Sequence, residues 1–230
     1  MNNYKNYSLR KNPKCPFGDL EWKTYYWSFP RHNETLKEYW TNVTDPDGNK
    51  RNLMDEWEQQ QKDINYLVDY IHQLEEGTLL DVGSGPGFLL SQINNQWNKF
   101  AYDISETALE KVKKYATICS GNFSNLDFSD NFFDLVIMNH VIEHLPSPLS
   151  YIDKIKALLK KDGILIIGTP DFDSAMARRF KLNYRMLHDK EHVSLFTQFS
   201  LVKLFEDYGF EILEIEYPYF ETRFYSEESL

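Results

Sequence analysis

Cysteine is scarce in this chain of 230 residues. Cys15 and Cys119 are too few for a disulfide scaffold or a zinc site, and they fit a reducing compartment such as the cytoplasm. Basic residues are the minority, 25 Lys and Arg against 35 Asp and Glu. The resulting net charge of −10 argues against the basic face that nucleic-acid binding needs. No apolar run approaches the roughly 20 residues of a membrane span, and the polar stretch Met1–Lys14 does not read as a signal peptide. Internal repeats and low-complexity tracts are missing too. What is left is an ordinary globular composition, 42% hydrophobic and 26% charged, with room for one full core.

The most informative stretch is Leu79–Leu90. Leu79, Leu80 and Val82 read as a short buried strand, which breaks into Gly83, Gly85 and Gly87 and resumes as an apolar helix start. Such a turn brings bare backbone to a ligand, and a helix N-terminus there would aim partial positive charge at it. The spacing Gly-x-Gly-x-Gly is one residue short of the dinucleotide fingerprint, and no Gly-Lys-Ser/Thr follows to cradle phosphate. Asp81, just before the first glycine, would repel a pyrophosphate but attract a cationic group. A nucleoside carrying positive charge is the ligand these features suggest. Lys99–Asp103 reads as the next strand, ending in an acid 22 residues after Asp81, where a carboxylate can accept from both hydroxyls of a ribose.

Asp81-x-Gly83-x-Gly85-x-Gly87 resembles motif I of the class I S-adenosylmethionine-dependent methyltransferases. The resemblance runs from about Met54 to Glu216 and includes a second motif. Phe133-Asp134-x-Val136 leading to Glu143-His144-Leu145 looks like motif IV of a small-molecule subgroup with a Glu-His pair. In the family a Gly-Asp segment binds the adenine amino group; here Gly121-Asn122-Phe123 stands in its place, and the Asn122 carbonyl can still accept from an amine. The resemblance implies an α/β, Rossmann-like doubly wound sheet, mostly parallel, with strand order 3-2-1-4-5-7-6 and an antiparallel C-terminal strand. It implies S-adenosylmethionine as cofactor, held by Asp81, Gly83, Gly85, Gly87, Asp103, Ile104, Asn122, Phe123 and Asn139. Some quinone-type relatives carry Glu-x-x-Glu-His as magnesium ligands. Here the first position is His140, and no metal is expected.

The remaining segments fall around this unit. Residues 1–52 form an aromatic-rich arm (Trp22, Tyr25, Tyr26, Trp27, Phe29, Tyr39, Trp40) with a turn signal at Asp45-Pro46-Asp47-Gly48, and residues 53–230 form the methyltransferase domain. The arm reads equally as a cap over the cofactor or as a packing strap. Asn52 opens a helix expected to reach Glu76, with Gly77 behind it. Tyr115–Ser120 is the third strand. Ser147-Pro148 starts a helix to about Lys160, closed by Gly163, and Ile164–Gly168 is the next strand. Residues 169–195 form a polar insertion with Arg178, Arg179, Lys181, Arg185, His188 and His192, which suggests an anionic acceptor. A last helix over Ser200–Tyr208, stopped by Gly209, precedes two strands at Phe210–Glu216 and Tyr219–Tyr225.

Methyl transfer from a sulfonium is an in-line displacement, so alignment comes first and a base is needed if the acceptor is an alcohol. His144 and His192 are the candidate bases, with Glu143 to orient one of them. O-methylation of a sugar or surface-glycan precursor is the expected reaction. A quinone-type or N-methyltransferase, a non-catalytic binding module of the same fold and, last, a NAD-dependent dehydrogenase are the alternatives.

Overall fold

The computed structural model describes residues 20–29, 39–44 and 48–218. In chain order these hold β1 (Glu21–Lys23), β2 (Tyr26–Ser28), β3 (Val43–Thr44), β4 (Lys50–Arg51), α1 (Trp57–Asp63), α2 (Asn65–Ile71) and β5 (Thr78–Val82). Next come β6 (Asn98–Tyr102), α3 (Glu106–Val112), β7 (Thr117–Cys119), β8 (Phe133–Asn139), α4 (Pro148–Leu158), β9 (Leu159–Gly168), α5 (Ala175–Phe180), β10 (Ser194–Leu195) and α6 (Gln198–Asp207). Five strands pair in parallel in the order β7-β6-β5-β8-β9. This matches the first five places of the expected order. The chain winds outward from β5 in both directions, and such a reversal opens a crevice at the carboxyl ends of β5 and β8.

The central strands are buried on both faces, hence their near-continuous apolar sequences. Leu79, Leu80, Val82, Val136, Ile137 and Met138 have no measurable exposure. Burying one such side chain stabilises the fold by roughly 1.5–3 kcal/mol. One cluster on α2 (Leu67, Val68, Ile71) covers one side of the sheet, and another on α4 and α6 (Ile152, Ile155, Leu204, Phe205) covers the other.

Several local expectations change. Asn52 does open the first helical turn, its side chain accepting from Met54 N at 3.1 Å. The expected long helix nevertheless breaks at Ile64 (φ −118°, ψ 10°) and ends at Ile71. Gly77 is not its cap; a side chain there would collide with Asp134. Residues 88–93 make turns, not the expected helix. Phe88, Leu89, Leu90 and Ile93 are all buried and only Ser91 and Gln92 are half-buried, so the segment lacks the wide polar face of a surface helix. The helix after Pro148 stops at Leu158, and Gly163 lies inside β9, opposite the register shift between Phe133 and Leu135. Ser147 makes no side-chain cap. The last helix starts at Gln198 on a Thr197–Ser200 capping box, and Gly209 follows it at φ +84°. Residues 211–217 form no strand. Asp45–Asp47 and Tyr219–Tyr225 lie outside the described residues.

The arm docks on the insertion. β1 and β2 form a hairpin, and β10 pairs antiparallel with β2, Leu195 opposite Trp27. Trp27, Phe172, Leu187 and Leu195 close a small satellite core beneath it. This part of the arm is packing. Tyr39 and Trp40 go elsewhere.

Candidate active site

The crevice has two halves. The first is the glycine turn after β5. Gly83, Gly85 and Gly87 all take positive φ (74°, 54° and 96°), a region that a Cβ disfavours. Gly83 is also a point of close approach, since a Cβ there would strike the Val141 side chain that follows β8. That contact brings the two halves of the crevice together. Asp103, just past β6, accepts Gly85 N at 2.8 Å and Ser105 N at 2.8 Å. It therefore holds the glycine turn and opens α3 at once. Ile104 beside it is 44% exposed, an apolar side chain at the crevice rim.

Both acids of this half are buried. Burial and the Asp103 carboxylate push Asp81 up to about 7. Burial raises Asp103 as well, against hydrogen bonds from Ser105, Gly85, Trp40 and Ile104 that favour its charged form. Asn122 and Phe123 are placed differently from the glycine turn. Asn122 is exposed, and its side chain accepts from Ser124 N at 3.0 Å. Phe123 is buried and stacked on Tyr151 at 4.5 Å, with its ring given to the core.

The second half follows β8. Asn139 lies half-buried against Gly168, and His140 takes φ 54°, a left-handed conformation that costs a residue with a Cβ about 1–2 kcal/mol. Its N–H donates to Gly168 O at 2.8 Å, and its Nδ1 lies 3.2 Å from Glu143 Oε1. Glu143 has no measurable exposure, and Thr169 Oγ1 donates to its Oε2 at 2.9 Å. Burial alone would raise this carboxyl. The His140 bond and the charges of His144, His140 and His192 hold it at about 2 instead.

His144 and His192 stand with ring centroids 5.0 Å apart, both buried. His144 Nδ1 lies 3.0 Å from Glu191 O and His192 Nδ1 2.9 Å from Met186 O. A carbonyl can only accept, so Nδ1 carries the proton in each ring. In the neutral form Nε2 then holds the lone pair. Burial pulls His192 below the usual histidine range, against the nearby Glu143 and Asp189 charges that raise it. The insertion is tied here by Val193 N donating to Glu143 O at 2.8 Å and by Ser194 Oγ donating to Leu145 O at 2.6 Å. Residues far apart in sequence thus form one site, as their spacing alone did not reveal.

One carboxylate oxygen and two imidazole nitrogens from Glu143, His144 and His192 lie within 4.8 Å of one another. Magnesium takes oxygen ligands and fits this set poorly. Sequence reasoning gave Thr169 no role, and it placed Tyr39 and Trp40 only in an arm read as a cap or a packing strap. Tyr39 packs edge-on to His144 at 5.9 Å, and Trp40 reaches the glycine turn. Only the aromatic richness of the arm hinted at them.

A model of the family described as "Methyltransferase domain" matches residues 54–215. An uncharacterised protein of Methanocaldococcus jannaschii is 29% identical over 160 residues, 69% of this chain and 66% of its own. A ubiquinone biosynthesis O-methyltransferase of Actinobacillus pleuropneumoniae is 34% identical over 119 residues, 44% of this chain and 51% of its own. The chain thus spans about half to two-thirds of these relatives' lengths. Among solved structures, an S-adenosylmethionine-dependent methyltransferase of Archaeoglobus fulgidus superposes with TM-score 0.57 at 17% identity, covering 75% of this chain and 81% of its own. A possible histamine N-methyltransferase of Thermotoga maritima gives 0.53 at 24% identity, covering 68% and 72%. No described helix is long and apolar enough to cross a membrane. The family match over most of the chain and the shared fold agree with the glycine turn, and the chain belongs to the class I S-adenosylmethionine-dependent methyltransferases.

Proposed function

We propose that the protein transfers the methyl group of S-adenosylmethionine to an oxygen of a small acceptor. Asp103 binds the ribose hydroxyls, and Ile104 and Asn122 border the adenine. Asp81 and the glycine turn receive the cationic methionine end, whose charge relieves a buried carboxylate that otherwise rests near 7. His144 or His192 takes the acceptor proton at Nε2, and Glu143, charged down to about 2, stabilises the imidazolium that forms. The observation that carries this reading is the buried Glu143–His144–His192 cluster beside the glycine turn. Burial opposes charging an imidazole in that interior, and the Glu143 carboxylate offsets part of that cost.

The basic residues of the insertion, Arg178, Arg179, Lys181 and Arg185, favour an anionic acceptor such as a sugar or surface-glycan precursor. The likeness to ubiquinone biosynthesis O-methyltransferases favours a second reading, a phenolic quinone precursor. Incubation with methyl-labelled donor and a panel of both acceptor types, read by mass spectrometry, decides between them. Donor binding without turnover on either type would instead mark a non-catalytic module. With an imidazole as base, a chelator leaves turnover unchanged; a loss restored by zinc or another divalent ion would assign the cluster to a cation.

A further inference from the structure

Trp40 occupies the space that the donor reading needs. A Cβ placed on Gly85 would lie 2.5 Å from Trp40 Cζ2 and 2.6 Å from Cη2, so the indole rests directly on the glycine turn. Its edge meets Phe88 with centroids 5.8 Å apart, and its backbone O accepts from Met54 N at 3.3 Å. The indole also lies near enough to Asp103 for its N–H, the one donor of the side chain, to favour the charged carboxylate.

The geometry of Asp103 makes this a conflict. A carboxylate offers about four acceptor positions. Gly85 N and Ser105 N take two, one on each oxygen, and the Trp40 indole faces the same carboxylate. A ribose diol needs acceptor positions on the same carboxylate. Trp40 can leave without unravelling the turn, which the Gly85 and Ser105 bonds hold.

The same two residues reach the other half of the site. Tyr39 packs edge-on to Trp40 at 5.2 Å and edge-on to His144 at 5.9 Å. Burial and the nearby Asp189 and Glu143 raise the Tyr39 phenol, so it stays protonated. A shift of Trp40 away from Gly85 draws on the segment that covers His144.

We propose that Tyr39–Trp40 is a self-occupied lid. In the free protein Trp40 stands in for the donor's ribose at Asp103, and donor binding displaces it. Tyr39 leaves His144 in the same movement, so the donor binds first and opens the acceptor side. This rests on the donor site proposed above. A lid that competes with its ligand lowers apparent affinity by the fraction of time the site is open.

The test is calorimetry and stopped-flow binding of S-adenosylhomocysteine to the full chain and to Trp40→Ala and Trp40→Phe, each checked for folding by circular dichroism. Trp40→Ala is expected to bind about tenfold tighter. Its observed rate should rise linearly with ligand, where the unaltered chain reaches a plateau set by lid opening. Trp40→Phe, which keeps a ring but loses the N–H, should fall between them. Unchanged or weaker binding by Trp40→Ala, with the unaltered chain binding normally, overturns the lid alone and makes Trp40 a cover over the donor. Binding by none of the three overturns the donor site and the lid with it.

Discussion

Asp81 and Glu143 are both buried carboxylates at the carboxyl edge of one sheet, and they sit in opposite electrostatic states. Asp81 has a second acid beside it and is pushed up to about 7. Glu143 is surrounded by His140, His144 and His192 and is held at about 2. Burial acts the same way on both; the neighbours decide the sign. The glycine-turn half is an incomplete charge arrangement waiting for a cation. The histidine half is already complete and ready to carry a proton.

The largest effect is expected at the boundary of the first half. Asp103→Ala removes charge-assisted bonds to the ribose worth about 1.5–3 kcal/mol each, and donor affinity measured by calorimetry should fall at least about a hundredfold. Because Asp103 also holds Gly85 and Ser105, the same variant should melt at a lower temperature. Unaltered affinity would remove Asp103 from the donor site and with it the contrast between the halves.

Next comes the histidine half. His144→Ala or His192→Ala should lower kcat about a hundredfold while donor affinity barely moves, a split that steady-state kinetics and calorimetry read together. Full turnover in both variants would leave the acceptor proton without a base.

The third effect is a difference in pH response. Glu143, lowered in the folded state, contributes stability that is present above its ordinary 4.5 and is lost as pH falls toward about 2. Asp81, raised in the folded state, contributes stability that is present below its ordinary 3.8 and is lost as pH rises through about 7. Each is on the order of 3 kcal/mol. Denaturant titrations across pH should show Glu143→Gln flattening the acid limb and Asp81→Asn flattening the loss toward neutrality. Donor binding near pH 6.5 should release a proton from Asp81, seen as a binding heat that depends on the buffer, and Asp81→Asn should abolish it. The same curves in both variants would mean that the two carboxylates do not differ as described.

The central sheet was legible because its cause is local. Runs such as Leu79–Val82 and Phe133–Met138 are apolar at all but one position each, Asp81 and Asp134, and a doubly covered strand suits them. The breaks were less legible. Nothing in the spacing of Trp57, Ile64, Leu67 and Ile71 announces a helix interrupted at Ile64, since the same stripe fits either form. Phe88–Ile93 reads as a helix start until the neighbours bury its four apolar side chains. Asn122 and Phe123 matched a family segment by type, but their local hydrogen bonding and stacking were invisible in the letters.

The sequence by itself determined the glycine turn, the acid at the end of β6 and the buried strands, because turn chemistry and strand burial act over a few neighbouring residues; the order of those strands followed from the family resemblance. Tertiary structure alone decided that His144 and His192 meet over Glu143, and that Trp40 lies on Gly85. Those encounters join segments 48 and 45 residues apart, and they depend on how the insertion and the arm pack against the sheet edge. No short window of residues records that packing.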